Sequence, residues 1–510
     1  MILRIDGNIN RYYVQTLCML FFKGAKFSED EQPAPDVPEL DVSVRTGEDN
    51  LVYSHAKIKL GDKVVEADGV ADPEKVINCT PMRLNKLAVG RAIFEAGKAF
   101  SSCITPWGIL TGVRPSKVAS EFLFSGNGVR STRQILRDEY FVNPKKAALA
   151  VSVAATEMKL TRKLPDNLCS IYISIPFCPS RCAYCSFVSY TSERLLSLID
   201  DYLKKLYLDI DNIFYIIKEL GLQVATVYIG GGTPTVLSPA QLSALMKRVS
   251  KHIDPSSLME YTVEAGRPDT ITEEKLRIIK ENGATRISVN PQTLNDDVLT
   301  AIGRRHTVDD FYRAYDIAKA SGIGCINVDL IAGLPNDTFG IFANSVDNII
   351  GLSPENITVH TFSVKTAADL KKKENDIYDS AEDTASKCVE YAQIKTKFAG
   401  YKPYYVYRQK NTVGNLENVG YSIDGKEGMY NIFMMEELHS VFSVGAGAVT
   451  KLVDYRLPLK GKTEIRRIFT PKYPYEYLRD ADKIRLGDKE NGIPSLFERI
   501  SEFYLKEKLN

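Results

Sequence analysis

The chain has 510 residues, a formal net charge of +1, 44% hydrophobic and 25% charged residues. That balance describes a globular protein of two or three domains and gives no global field to attract nucleic acid or an anionic membrane. No apolar run approaches the roughly 20 residues of a membrane span, and the start Met1-Ile-Leu-Arg-Ile-Asp-Gly carries no apolar signal core. Nine cysteines, three of them packed into one loop, fit a reducing cytoplasm with a metal site better than a disulfide framework.

Residues 1–165 read as an α+β extension. Ile2–Ile5 is strand-like, and Tyr12–Phe22 has helical apolar spacing. The acidic, Pro-bearing stretch from Ser28 to Pro38 reads as a solvated loop. Alternation over Leu51–Leu60 and Lys63–Ala67 predicts an antiparallel hairpin turning at Gly61-Asp62. Helical patterning resumes from Met82 to Phe100. The one Trp, Trp107, lies in a Gly-, Pro- and cation-rich segment, Thr105–Lys117, which is either a binding loop or a rigid connector pinned by a buried Trp.

At Ile171-Tyr-Ile-Ser-Ile175-Pro-Phe177 a short β-branched strand leads into Cys178-Pro-Ser-Arg-Cys182-Ala-Tyr-Cys185. A C-x3-C-x2-C loop can grip one metal centre. Structural zinc wants four ligands, for which Cys169 is the available fourth. Three sulfurs suit an iron–sulfur cluster with one iron left open.

The run Ile-Pro-Phe-Cys-x3-Cys-x-Tyr-Cys-x-Phe resembles the radical S-adenosylmethionine (SAM) enzymes of the oxygen-independent coproporphyrinogen III dehydrogenase family. The Thr105–Lys117 segment is similar to its HemZ-type branch with an N-terminal extension. The resemblance implies a [4Fe–4S] cluster on Cys178, Cys182 and Cys185, with SAM on the fourth iron. Ser174 and Phe187 depart from the best-studied branch, which has His and a fourth Cys there; the Cys-x-Phe form is shared with relatives that bind or carry haem.

From residue 171 the period is strand–loop–helix. Strands are expected at Ile171–Ile175, Val224–Ile229, Met259–Val263, Arg286–Asn290, Cys325–Ile331 and Ile357–Thr361. Helices are expected at Arg194–Leu220, Pro239–His252, Glu273–Asn282, Val308–Ser321 and Phe342–Ile350. Gly221, Gly283 and Gly322 mark helix ends, and Ser238-Pro239 and Thr272 mark helix starts. Six such units imply a parallel sheet with right-handed crossovers. With the resemblance, the fold class is α/β: a partial (β/α)6 TIM-like radical SAM barrel over residues 166–375, with the α+β extension before it and a C-terminal cap over 376–510.

Function in parallel barrels sits at the C-terminal strand ends. There lie Gly230-Gly-Gly-Thr-Pro-Thr235, whose glycines offer backbone N–H groups to a carboxylate, and Glu264. The resemblance places SAM against Tyr172, Tyr184, Gly231, Gly232, Thr233 and Glu264, the last pairing with the SAM ammonium. It places a second SAM against Gln292, Arg304 and Asp329. His306 reads as structural. In the family, one electron cleaves SAM to a 5′-deoxyadenosyl radical, which takes a hydrogen from a propionate of coproporphyrinogen III. CO2 leaves, a vinyl group forms, and the spare electron passes to a one-electron acceptor. The resemblance thus implies a tetrapyrrole substrate and a one-electron donor such as flavodoxin or ferredoxin. A tetra-anionic substrate calls for cations, and Tyr404–Asn415, with Arg408 and Lys410, mixes these with aromatic faces. Lys365 is a second candidate, whereas the charge run Lys371–Glu374 reads as a solvated helix face. A haem-binding carrier on the same scaffold is the alternative, as is another radical SAM reaction on a tetrapyrrole. A carrier needs an axial ligand, and the five scattered histidines form no tract.

Overall fold

The computed structural model describes residues 1–27, 32–101, 105–185, 189–363, 374–409, 412–453 and 464–505, with backbone alone for 374–382. Ser28–Glu31, Phe187, Lys365, Lys371–Lys373 and Lys410 lie outside the described residues. The chain divides into two compact units, Met1–Lys159 with Val406–Lys410, and Leu160–Tyr405 with Asn411–Asn510.

The first unit is built on a four-stranded sheet in the order β1 (Ile2–Asp6), β2 (Glu39–Thr46), β3 (Val52–Leu60), β4 (Lys63–Ala71). The first pair is parallel and the rest antiparallel. The expected hairpin forms, with Leu60 opposite Lys63 and Gly61 at φ +57°. Strand β2 alternates Leu40 and Val42 inward but was not foreseen. Helix Pro81–Ser101 lays Leu84, Leu87, Ala88, Ala92 and Ile93 on the sheet. Gly69 permits this approach, since a Cβ there would stand 2.1 Å from the Ala88 carbonyl oxygen. Trp107 is fully buried, and the Arg408 guanidinium lies 5.9 Å from its ring. The connector reading of Thr105–Lys117 therefore holds at its Trp.

The second unit carries the strands β5 (Leu168–Ile175), β6 (Gln223–Gly231), β7 (Glu260–Glu264), β8 (Arg286–Ser288), β9 (Ile326–Ala332) and β10 (Asn356–Thr361). All five successive pairs are parallel. Helices Ile199–Glu219, Pro239–Ser250, Glu273–Glu281, Val308–Ala320 and Phe339–Leu352 follow the expected positions. Their ends obey local chemistry: Ser238 forms a capping box with Gln241, Thr272 accepts from the Lys275 N–H, and Gly221, Gly283 and Gly322 adopt φ of +69°, +86° and +67°. The strands are buried on both faces, as a helix-covered parallel sheet requires.

This is a partial (β/α)6 barrel, because neither β5 nor β10 closes on the other. Strand β10 pairs antiparallel with β12 (Glu417–Ser422), beyond which lies β11 (Lys402–Arg408). Strand β5 pairs parallel with β13 (Val441–Val444), followed by β14 (Val449–Val453) and β15 (Ile465–Phe469). The segment after residue 376, expected as a cap, thus adds strands to both flanks of the barrel sheet and, except for Val406–Lys410, belongs to the same compact unit. Among the described residues, no helix is long and apolar enough to cross a membrane.

Candidate functional site

Strand β5 delivers the chain to the cysteine loop. Phe177 is fully buried and meets the Tyr202 ring edge-on at 5.2 Å. The Cys178 N–H donates to the Tyr190 carbonyl at 3.1 Å, and the Tyr190 N–H donates to the Pro176 carbonyl at 2.9 Å. The Ala183 N–H is taken by Ile302 O at 3.0 Å. These bonds pin both sides of the loop.

Cys178 and Cys182 are each 8% exposed and Cys185 is half-buried. Burial pushes the Cys178 thiol up to about 11; the Thr233 hydroxyl, 3.2 Å from the sulfur, opposes this, Cys185 and Cys182 add to it, and Arg267 opposes it. Cys182 and Cys185 are thus close enough to Cys178 to bear on its charge. Among the described residues, no three Cys, His, Asp or Glu side chains converge as a single ion requires. A zinc with bonds of about 2.3 Å needs that convergence. Cys169 is fully buried within β5, opposite Val224, and is no fourth ligand. Three separated thiols fit a cluster that spreads its thiolates over different irons and leaves one iron to a non-protein ligand.

Arg267, past the end of β7, braces this loop and was not foreseen. It is 4% exposed. Its guanidinium donates to the Ser180 carbonyl at 3.2 Å and the Ser180 hydroxyl at 2.8 Å, and reaches Cys182 Sγ at 3.6 Å. Asp269 holds the other edge at 3.0 and 3.2 Å. The Arg267-Pro-Asp269 run just beyond a strand end was the available signal.

The glycine loop after β6 works differently from its expected role. Gly232 N–H donates to Ile175 O and Thr233 N–H to Phe177 O, each at 2.8 Å. Those N–H groups are committed to the cysteine strand and form no open nest. What the glycines provide is close approach: a Cβ on Gly232 would stand 2.5 Å from Phe177 O and 3.0 Å from Cys178 Sγ. Gly231, at φ +108°, turns its N–H to the Glu264 carboxylate.

Glu264 ends β7 and receives the Tyr228 hydroxyl at 2.6 Å. Burial pushes its carboxyl up to about 7, against the Tyr228 hydrogen bond. Tyr172 and Tyr228 are register partners on β5 and β6 and lie ring to ring at 6.0 Å. Tyr430, from helix Met429–Glu436, completes the stack at 4.5 Å from Tyr228 and 6.3 Å from Tyr172. Tyr228 and Tyr430 were not singled out from the sequence. Tyr228 could have been found, since alternation puts it on the face of Tyr172; Tyr430 could not, because its helix arrives from residue 429.

Arg304, Gln292 and Asp329 come together around Asn290. Arg304 donates to the Gly266 and Asn290 carbonyls, both at 3.3 Å, and to the Tyr184 hydroxyl at 3.2 Å. Its buried Nε has no protein partner. Gln292 adopts φ +70°, which is strained for a side chain of this kind, and its buried Oε1 is likewise unpaired. Its N–H is held by the Asp329 carbonyl at 3.0 Å, and the Asn290 side chain accepts from the Asp329 N–H at 3.3 Å. Burial pushes the Asp329 carboxyl up, but His360, 3.7 Å away, and Asn327, at 2.7 Å, outweigh it and hold the pKa below the ordinary range. Arg304 Nε and Gln292 Oε1 are thus buried polar atoms without a protein partner, beside a residue of strained backbone.

His306 is 3% exposed and burial among cations lowers it to about 4, in line with a structural role. The aromatic stretch offered for substrate is core: Tyr404 and Tyr405 are 1% and 5% exposed, and the Tyr404 hydroxyl donates to Asn356. Arg408 falls in the first unit, where its N–H donates to the Val113 carbonyl at 2.7 Å and its side chain to the Leu110 carbonyl.

Comparison with known proteins shows the family of the chain. The family described as the Radical SAM superfamily matches residues 172–349. The oxygen-independent coproporphyrinogen-III oxidase-like protein HemZ of Bacillus subtilis is 37% identical over 409 residues, covering 79% of this chain and 80% of that protein. The heme chaperone HemW of Bacillus subtilis is 39% identical over 197 residues, covering 38% of this chain and 51% of that one. Among solved structures, the coproporphyrinogen III oxidase HemN of Escherichia coli, described as a radical SAM enzyme, aligns with TM-score 0.49 and 21% identity over 64% of this chain and 72% of that chain.

Proposed function

Because this chain belongs to the radical SAM superfamily, in the family of HemZ, we propose that it is an oxygen-independent coproporphyrinogen III dehydrogenase. The reaction is the oxidative decarboxylation of two propionates to vinyl groups. When bound, the [4Fe–4S] cluster and SAM of this superfamily supply one-electron cleavage of the sulfonium and abstraction of a hydrogen atom. Cys178, Cys182 and Cys185 hold the cluster, with Arg267 and Thr233 fixing two of the sulfurs. Glu264, fixed by Tyr228, faces the SAM ammonium as a carboxylate. Arg304 and Tyr184 set one wall, and Gln292 and Asp329 offer acceptors for the polar groups of a second SAM. Tyr172, Tyr228 and Tyr430 form a stack beside Glu264.

The observation that carries the reading is the three-thiol loop Cys178–Cys185 at the end of β5, in a chain covering 80% of HemZ. A haem carrier is the second reading, favoured by the HemW relative. Of the chain's five histidines, His306 and His439 are buried, whereas His55, His252 and His360 lie beside Asp68, Asp211 and Asp329, a pairing that metal-ligating histidines also make. Anaerobic incubation of the reconstituted protein with coproporphyrinogen III, SAM and a reductant tests both. Protoporphyrinogen with matching 5′-deoxyadenosine supports the first reading; stable haem binding with no vinyl product replaces it with the second.

A further inference from the structure

The Thr105–Lys117 segment is pinned at Trp107, but its second half borders a cavity of about 130 Å³ whose lining lies wholly within the first unit. Tyr13 of helix Arg11–Phe21, Leu87 of helix Pro81–Ser101 and Val118 of helix Pro115–Phe124 form its apolar wall together with Leu110. The charged side chains of the lining, Lys86 and Arg114, are both cations.

Lys86 is open to solvent and makes no hydrogen bond or ion pair among the described residues. Its ammonium stands 4.6 Å from the centre of the Tyr13 ring. The Glu121 carboxylate, on helix Pro115–Phe124, is taken by Arg83 at 2.5 Å. The atoms packed around the Lys86 ammonium lower its pKa, and the Arg83 charge adds to this. On the loop side, the Thr111 hydroxyl and the N–H groups of Thr111 and Gly112 have no partner among the described residues. The Ile109 carbonyl, by contrast, takes the Tyr13 hydroxyl at 3.2 Å, and the Leu110 carbonyl takes the Arg408 guanidinium. A Cβ on Gly112 would meet nothing within 4 Å, so the backbone there is open to a guest.

We propose that this cavity binds a small organic oxyanion, a carboxylate or a phosphate carried on an apolar, ring-sized body.

The charge of the guest follows from the lining. A crowded ammonium with no counter-charge is stabilised by a nearby anion, and no carboxylate of the lining opposes one. A cationic guest meets two like charges, and a neutral head leaves the ammonium without a counter-charge. An oxyanion has lone pairs enough for the ammonium, the Thr111 hydroxyl and the Gly112 N–H together, and bonds to a charged acceptor are the stronger kind. The body follows from size and wall: a cavity of about 150 Å³ takes up benzene, whereas a single water has a share of roughly 30 Å³.

The test is a fluorine NMR titration of the full chain with 4-fluorobenzoate and 4-fluorophenyl phosphate, run beside 4-fluorobenzyl alcohol and 4-fluorobenzylamine. Saturable binding is expected for the anions alone, and the tighter of the two assigns the head group. Lys86→Met keeps the stem and removes the charge, and should weaken anion binding by about tenfold or more, while Lys86→Arg retains most of it. That pair of variants separates this cavity from cations elsewhere in the chain. Absence of saturable binding by either anion, equal binding of the alcohol or the amine, or unchanged binding by a folded Lys86→Met overturns the proposal. Should Lys86→Met not fold, crystals of the native chain soaked in 4-bromobenzoate decide the matter. Bromine located between Lys86 and Val118 supports the site, and bromine elsewhere or nowhere overturns it.

Discussion

The Arg267 guanidinium lies 3.6 Å from Cys182 Sγ while the same group holds both polar atoms of Ser180. One cation therefore fixes the turn between the first two cluster sulfurs and tempers the negative charge that thiolates bring. Arg267→Ala removes the hydrogen bonds to Ser180, while Asp269, exposed to solvent, is not stranded, so the cost is about 1–3 kcal/mol. The expected outcome is a folded protein that loses iron during anaerobic gel filtration, with Arg267→Lys retaining part of it. Full iron retention in Arg267→Ala would remove the bracing role.

Cys182→Ala should abolish the cluster outright. Two thiolates cannot hold a cube that the chain grips with three. Iron analysis and the visible absorbance of reconstituted protein check this, with less than one-third of native iron the expected result. A native protein that purifies anaerobically with zinc and no iron would overturn the whole reading of the loop.

Arg304 touches Tyr184 rather than a cysteine, so its loss should spare the cluster. Arg304→Ala is expected to weaken SAM binding by roughly 10- to 100-fold, the range for a lost charged hydrogen bond. Equilibrium dialysis of the reconstituted variant measures it. Loss of iron in the same variant would show that the two roles are not separate.

Burial lifts Glu264 to about 7 from an ordinary carboxyl value of 4.5. A raised carboxyl stabilises the fold fully below about pH 4.5 and loses that contribution as pH climbs through 7. Ligand binding runs the other way, because the SAM ammonium needs the carboxylate. SAM affinity should rise by up to about tenfold per pH unit below 7 and level off above it. Glu264→Gln should flatten that profile, and Tyr228→Phe, which removes the opposing hydrogen bond, should move its midpoint upward. An unmoved midpoint in Tyr228→Phe would deny the tyrosine its part.

Histidine burial sets the acid limit. His439 is buried against Ser170 and the Phe433 ring, and burial lowers it from 6.5 to about 3; His306 falls to about 4. Both stay neutral when folded and take up protons when unfolded. Their contribution is whole above pH 6.5 and is lost as pH falls toward 4, at no more than about 1.4 kcal/mol per pH unit for each. Urea melts between pH 7 and 4.5 check this, and His439→Asn should reduce the slope.

Much of the barrel was legible because it is made of local signals. The β-branched runs of β5, β6 and β9, the capping box at Ser238 and the glycines past helix ends are each written within a dozen residues. Glu264, Gln292 and Asp329 were then picked out at or near strand ends by the family resemblance. What escaped depends on distant pairing. The parallel match of Val441–Val444 with Ser170–Ile173 has no signature in either segment. Tyr404 and Tyr405 were offered for substrate because aromatic strands look alike whether they face a core or a pocket; only the neighbours of β11 decide. The glycine run was read as a set of donors, and its N–H groups turned out to be bound to the strand that the same glycines let come close.

The position of β5 has a consequence for biogenesis. This strand lies between β6 and β13, and β13 is encoded some 270 residues after it. While the chain is being made, the thiol-bearing strand has one flank open until residues 441–444 have emerged from the ribosome. A nascent or truncated polypeptide ending before Val441 presents that flank as an unpaired apolar edge, prone to self-association. Fragments that stop short of β13 are expected to aggregate more than the full chain.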